Sequence, residues 1–113
     1  MTDFLFVFRN DYKSMPQSSP EEMQAIMKQW MDWIGGIAAQ NKLANGGNRL
    51  GSQGRVVKKG GVITDGPYTE IKELIGGYII VKANSFDEAA ELAKGCPILA
   101  EGGNVEVRDI VSM

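Results

Sequence analysis

The sequence predicts an α+β domain with the ferredoxin-like order β-α-β-β-α-β, an extra hairpin and an antiparallel sheet. Two observations carry this prediction. The first is a set of apolar stretches that alternate as strands do, with a predicted hairpin among them. The second is a pair of helix starts with strong capping signals, which separate these stretches. The length of 113 residues fits one domain spanning 1–113.

The first predicted strand, Asp3–Arg9, is apolar on both faces. Its three phenylalanines point one way, while Leu5 and Val7 point the other. A strand bordering water has one polar face, so we expect this strand to be covered on both sides.

The first helix begins with Ser19 as N-cap, Pro20 at the first helical position and Glu22 as the capping-box partner. Its end is expected between Gln40 and Leu43. Apolar residues at spacings of three and four form one wide face, namely Met23, Ile26, Met27, Trp30, Trp33, Ile34 and Ile37.

A glycine-rich passage, 45–59, leads into a predicted hairpin with arms at Arg55–Lys58 and Val62–Thr64. Gly60 and Gly61 are expected to form its two-residue turn. The next strand is predicted over Tyr78–Ala83.

Ser85 and Glu88 predict a capping box at the start of a second helix, and Gly95 is its expected stop. The final strand is predicted over Asn104–Val111.

This order places both helices on one face of the sheet. On the other face, either Leu5 and Val7 or the three phenylalanines would then be exposed to water unless something covers them. A second copy packed sheet to sheet by two-fold symmetry supplies that cover. We therefore predict a homodimer whose two sheets form an α/β barrel.

The composition excludes several kinds of chemistry. The chain has no histidine, which rules out a Ser-His-Asp triad and a His-ligated metal site, and we predict neither a metal nor a cofactor. A net charge of −2 argues against nucleic acid as a partner. No apolar run approaches a membrane span, no signal peptide precedes the domain, and Cys96 is the only cysteine, so a cytoplasmic location is expected.

Asp65 is the candidate catalytic acid or base, within the segment Asp65–Tyr78. A structural explanation competes with this role, because Asp-Gly-Pro is turn chemistry. Glu70 lies three residues before Glu73. This spacing is typical of paired carboxylates that carry out acid–base chemistry or bind a cation, and it is also compatible with a solvated turn.

Arg49 is the candidate anchor for an anionic ligand, since its guanidinium pairs with carboxylate or phosphate. The alternative is a salt bridge to a nearby loop carboxylate. Trp33, Tyr68 and Tyr78 are candidate walls of a ligand pocket, although tryptophan is more often a core residue. Cys96 follows a helix C-terminus, where the dipole disfavours a thiolate, and is interpreted as structural.

The segments SPEEMQAIMKQW, DGPYTEIKELIGGYIIV, SFDEAAELAKGCP and VEVRDI, in that order, resemble the DGPF subgroup of the YCII-related family. The resemblance covers almost the whole chain and implies a dimeric α/β barrel. A His–Asp pair proposed for broader relatives is not carried over, because this chain has no histidine and Cys96-Pro97 falls near the place of their Asp-Pro.

Three functions are expected from these features. The leading hypothesis is a homodimer that binds a small organic molecule in a pocket beside the sheet, lined by Trp33, Arg49, Asp65 and Tyr78. The second is a non-enzymatic regulatory or protein-interaction module, to which the association of some DGPF-type proteins with sigma factors lends support. The third, by fold analogy alone, is a cofactor-free monooxygenase-like enzyme.

Overall fold

A computed structural model describes residues 1–11, 18–66 and 74–112. Two helices and five of the six strands in these ranges follow the predicted order, and one strand is additional. They are β1 (Thr2–Asn10), α1 (Pro20–Ala39), β2 (Leu43–Arg49), β3 (Gly54–Lys58), β4 (Val62–Gly66), β5 (Leu74–Ala83), α2 (Phe86–Ala93) and β6 (Asn104–Asp109). Short 3-10 turns span Lys59–Gly61 and Pro97–Glu101.

The main sheet has four strands in the order β2-β5-β1-β6, and every neighbouring pair is antiparallel. The strands β1, β2, β5 and β6, with one helix after β1 and one after β5, give the ferredoxin-like arrangement. The predicted α+β fold class is therefore confirmed. Strands β3 and β4 form a separate two-stranded sheet, which is the predicted extra hairpin.

The two helices begin where their caps predict. The Ser19 hydroxyl accepts from the Glu22 N–H at 3.2 Å, and the Glu22 carboxylate accepts from the Ser19 N–H at 3.4 Å. At α2 the Ser85 hydroxyl accepts from the Glu88 N–H at 3.1 Å. The Glu88 carboxylate lies 3.2 Å from the Lys42 ammonium, so it ties the start of α2 to the segment that leads into β2.

The helices pack on one face of the sheet, which we call the helix-covered face. Its core contains Phe4, Phe6, Phe8, Ile37, Ile79, Val81, Ala83, Ala89, Ala93, Cys96 and Ile98. The face of α1 that joins this core is narrower than predicted, because Met23 and Met27 are exposed. The part of α1 that packs against the core is the stripe that carries Trp30, Trp33, Ile34 and Ile37.

Strand β2 begins at Leu43 and runs into the glycine-rich passage, where the sequence analysis predicted no strand before Arg55. Glycines are uncommon in strands, so the sequence pattern did not indicate β2, but its pairing with β5 requires glycine. Gly47 has a φ of 67°, and a Cβ there would lie 1.6 Å from the Tyr78 carbonyl oxygen. Only glycine permits this close approach between β2 and β5.

The remaining boundaries differ by a few residues. Strand β5 begins at Leu74 rather than Tyr78, and β6 ends at Asp109 rather than Val111. The hairpin turn has three residues rather than two, since Lys58 pairs with Val62. Among the described helices, none is both long and apolar enough to cross a membrane.

Candidate functional site

The face of the main sheet opposite the helices carries the most distinctive group of side chains. Strand register places four residues in one row across β2, β5, β1 and β6, in the order Asn48, Tyr78, Val7, Glu106. A second row runs from Ile80 through Leu5 to Arg108. Directly opposed side chains in a sheet lie about 5 Å apart, so each row is a continuous surface.

The centre of this surface is apolar and its two sides are polar. Leu5, Tyr78 and Ile80 are half-buried, and Val7 is 8% exposed, although neither of the two described helices covers them. We call the surface formed by Leu5, Val7, Arg9, Asn48, Tyr78, Ile80, Glu106 and Arg108 the open sheet face.

One polar side of the open sheet face is an amide–phenol pair. The Asn48 side-chain amide donates to the Tyr78 hydroxyl oxygen at 3.0 Å. Because that oxygen accepts from Asn48, its own proton is left to donate to another acceptor. The pair can therefore hold a polar group that rests on the neighbouring apolar centre.

The other polar side is a group of three charges. The Arg9 Nε lies 3.0 Å from one oxygen of Glu106, and an Arg108 nitrogen lies 3.3 Å from the other. Two guanidiniums therefore meet at one carboxylate at this side of the sheet, and 69% of the Arg108 side chain remains exposed. Across the row, Glu106 and Tyr78 are separated by Val7 alone, which corresponds to about 10 Å.

The structure does not bring Trp33 and Tyr78 into one pocket. Tyr78 lies opposite Val7, whereas its neighbour Ile79 lies opposite Phe6 in the helix-covered core. Since successive side chains of a strand point to opposite faces, Tyr78 faces away from the helices.

Trp33 belongs to the helix layer. Its indole N–H donates to the Leu92 carbonyl at 3.0 Å, and its ring stacks on Phe6 with centroids 6.3 Å apart. It also borders an open groove of about 280 Å³ between α1 and α2, whose lining includes neither Arg49 nor Asp65.

Arg49 lies at the end of β2, opposite Gly77, and is exposed. The alternative predicted for Arg49, a salt bridge to a loop carboxylate, is not made with Asp65, which lies 3.6 Å from Arg55 instead. Asp65 itself is on the separate hairpin with 95% of its side chain exposed. The predicted association of Arg49, Asp65 and Trp33 in one pocket is therefore absent from the described chain.

Two predicted pocket residues, Tyr68 and Glu70, lie outside the described residues, as does Glu73. Within the described ranges, no group of three or more potential metal-ligating side chains occurs. Cys96 is 3% exposed, and burial raises the pKa of its thiol to about 12, which agrees with a structural role.

Sequence reasoning missed Arg9, Asn48 and Glu106 as members of a site. Arg9 continues the Leu5 and Val7 face of β1, so strand alternation contained the signal for one of them. Asn48 and Glu106 join that face only through pairing with distant strands. That register cannot be read from local sequence.

Comparison with known proteins identifies the class of this chain. The model of the YCII-related domain matches residues 5–113, so the chain belongs to the YCII-related family.

One solved structure that is similar to this chain is 5-chloro-2-hydroxyhydroquinone dehydrochlorinase from Burkholderia phenoliruptrix, determined in complex with 2,5-dihydroxybenzoquinone. The two are 17% identical with a TM-score of 0.46, over 97% of this chain and 93% of that one. Among curated proteins, none matches this chain.

Proposed function

We propose that this YCII-related protein is a homodimer that binds a small organic molecule on the open sheet face. One observation carries the proposal: an apolar centre lies between two polar sides on a face that neither α1 nor α2 covers. Ligand sites typically combine apolar walls with a few placed polar groups. The second copy of the chain, packed against this face, turns an exposed surface into an enclosed site.

The arrangement favours a ligand that is mostly apolar with a polar group at each end. Leu5, Val7 and Ile80 offer the apolar wall, and the Tyr78 hydroxyl offers a donor at one side. At the other side, the guanidinium of Arg108 is largely exposed beside Glu106 and can pair with an anionic or electron-rich group. The spacing of about 10 Å between the two sides suits a molecule the size of a substituted ring.

The proposal is one of binding, and it assigns Asp65 no catalytic step. An acid or base must lie within hydrogen-bond reach of the proton that it transfers. Asp65 projects from the separate hairpin next to Arg55, and both side chains are largely exposed. Arg49 is kept as a candidate for ligand contact at the edge of the sheet, beside the Asn48–Tyr78 pair.

The test is a thermal-shift screen of the full chain against hydroxylated aromatic acids and aliphatic metabolites. A ligand that binds only the folded chain raises Tm. Tyr78→Phe removes one hydrogen-bond donor, so we expect it to weaken the hits about threefold to tenfold. Thr2→Val removes a hydroxyl from the same sheet outside the open sheet face and serves as the matched control.

Leu5→Lys places a charge at the centre of the site and is expected to abolish the shifts. Hits that bind both Tyr78→Phe and Leu5→Lys as tightly as the unaltered chain would remove the open sheet face from the proposal.

A second candidate function is a contact with another protein. Val57 is 68% exposed, and Ile63, which lies opposite it on the hairpin of β3 and β4, is 64% exposed. Exposed apolar side chains in close proximity are typical of protein contacts rather than of small-molecule sites. Pull-down with the hairpin altered by Val57→Lys distinguishes such a partner from a ligand, because the open sheet face is unchanged in that variant.

A further inference from the structure

The hairpin of β3 and β4, which we call the arm, has two unlike faces. Its register places Arg55 opposite Asp65 and Val57 opposite Ile63. These four alternate with the other residues of their strands and so share one face, which we call the outer arm face. Val57 is 68% exposed and Ile63 is 64% exposed, whereas Val56 and Thr64 on the other face are half-buried.

The outer arm face needs cover. A two-stranded hairpin is marginally stable in water by itself and requires packing on a hydrophobic face. In the described chain, the arm is hydrogen-bonded to no strand of the main sheet. Its β-branched cross-strand pair, Val57 and Ile63, lies in water in the single chain.

The charged side chains beside that apolar pair favour a second copy of this chain as the partner of the outer arm face. A two-fold contact joins the same patch of both copies, so the patch must be complementary to itself. The outer arm face meets this condition because it carries one cation and one anion, 3.6 Å apart, directly beside two apolar side chains. Rotation about a two-fold axis brings each Arg55 towards the other copy's carboxylate and stacks the apolar pairs.

We propose that the outer arm face is a contact surface between two copies of this chain. In this contact, Val57 and Ile63 of each copy pack together, and each Arg55 pairs with Asp65 across the axis. The contact goes beyond the proposed small-molecule site, because none of its residues belongs to the open sheet face, and it names a second copy rather than another protein as the occupant of the arm. Its loss therefore leaves the ligand site of each chain unchanged in composition.

The test measures the concentration at which the assembly of the full chain dissociates, by analytical ultracentrifugation. Val57→Lys combined with Ile63→Lys is expected to raise that concentration at least about tenfold, since charges then replace the apolar centre of the contact. Met31→Lys is the matched control, because Met31 is exposed to a similar extent, 70%, on α1.

Charge reversal separates a contact between copies from an effect within one arm. Arg55→Asp gives an arm with two carboxylates, and Asp65→Arg gives an arm with two guanidiniums. Each variant alone is expected to dissociate more readily than the unaltered chain. An equimolar mixture of the two is expected to associate again, because each arm then meets one of opposite charge.

Two outcomes would overturn the inference. One is an unchanged dissociation concentration in the double lysine variant. The other is restored association when both reversals are combined in one chain but not when the two single variants are mixed, because the pairing then acts within one arm. If the arm variants stay associated while Leu5→Lys dissociates, the arm contact fails and the proposed dimer through the open sheet face stands.

Discussion

The two faces of the main sheet are built from the same strands, but their side chains are buried to different extents. On the helix-covered face, Phe6 is fully buried and Val81 has no exposed surface. On the open sheet face, Leu5 and Ile80 remain half-buried between polar side chains. Alternating apolar residues thus specify a strand with two apolar faces, and the polar side chains beside Leu5 and Ile80 distinguish the open sheet face from the buried core.

The largest expected effect lies on the helix-covered face. Phe6→Ala removes a fully buried ring that stacks on Trp33, with centroids 6.3 Å apart. We expect the free energy of unfolding to fall by about 3–5 kcal/mol, measured by urea denaturation. Leu5→Ala, one residue away on the other face, is the control and is expected to cost less than half as much. Equal losses would contradict the distinction between the two faces.

The second effect concerns association and is confined to the open sheet face. Ile80→Lys is expected to shift the assembly towards monomers in light scattering, because a charge enters the surface that we propose the second copy covers. Lys82→Ile, two residues on along the same strand face, supplies an apolar residue instead of a charge and is the control. A dimer that is as stable in Ile80→Lys as in the unaltered chain would argue that the copies do not meet at this face.

The third effect depends on pH and reports on the helix-covered core. Burial raises the pKa of the Cys96 thiol from its ordinary value of 9.0 to about 12. The unfolded chain therefore ionises before the folded chain does, and stability is lost as pH rises from about 9 towards 12. This loss has a limiting slope of about 1.4 kcal/mol per pH unit. Cys96→Ala is expected to show a flatter dependence in urea titrations at several pH values.

An identical slope in the Cys96→Ala variant would contradict this prediction, because lysine and tyrosine titrate in the same range and are present in both chains. The comparison of the two slopes, rather than either slope alone, isolates the buried thiol.

Local signals predicted the elements of this fold, and pairing between distant strands decided the site. Ser19 and Ser85 fixed both helix starts because a cap acts within four residues. Strand β2 was not predicted, because the need for glycine at Gly47 comes from its close contact with Tyr78, thirty-one residues away in the chain. The face that Tyr78 occupies likewise follows from its pairing with Val7 on β1, which no local pattern reports.

The smallest expected effect lies where the helix layer meets the sheet edge. The hydrogen bond from Lys42 holds the pKa of the Glu88 carboxyl below its ordinary value of 4.5. A lowered carboxyl pKa stabilises the folded chain above that value, and the contribution is lost as pH falls through the lower, folded pKa. Lys42→Gln is therefore expected to flatten the acid limb of a Tm-against-pH curve. Lys94→Gln, which removes a lysine from the exposed helix surface, is the control, and a flattening of equal size in both variants would show that net charge rather than this pair is responsible.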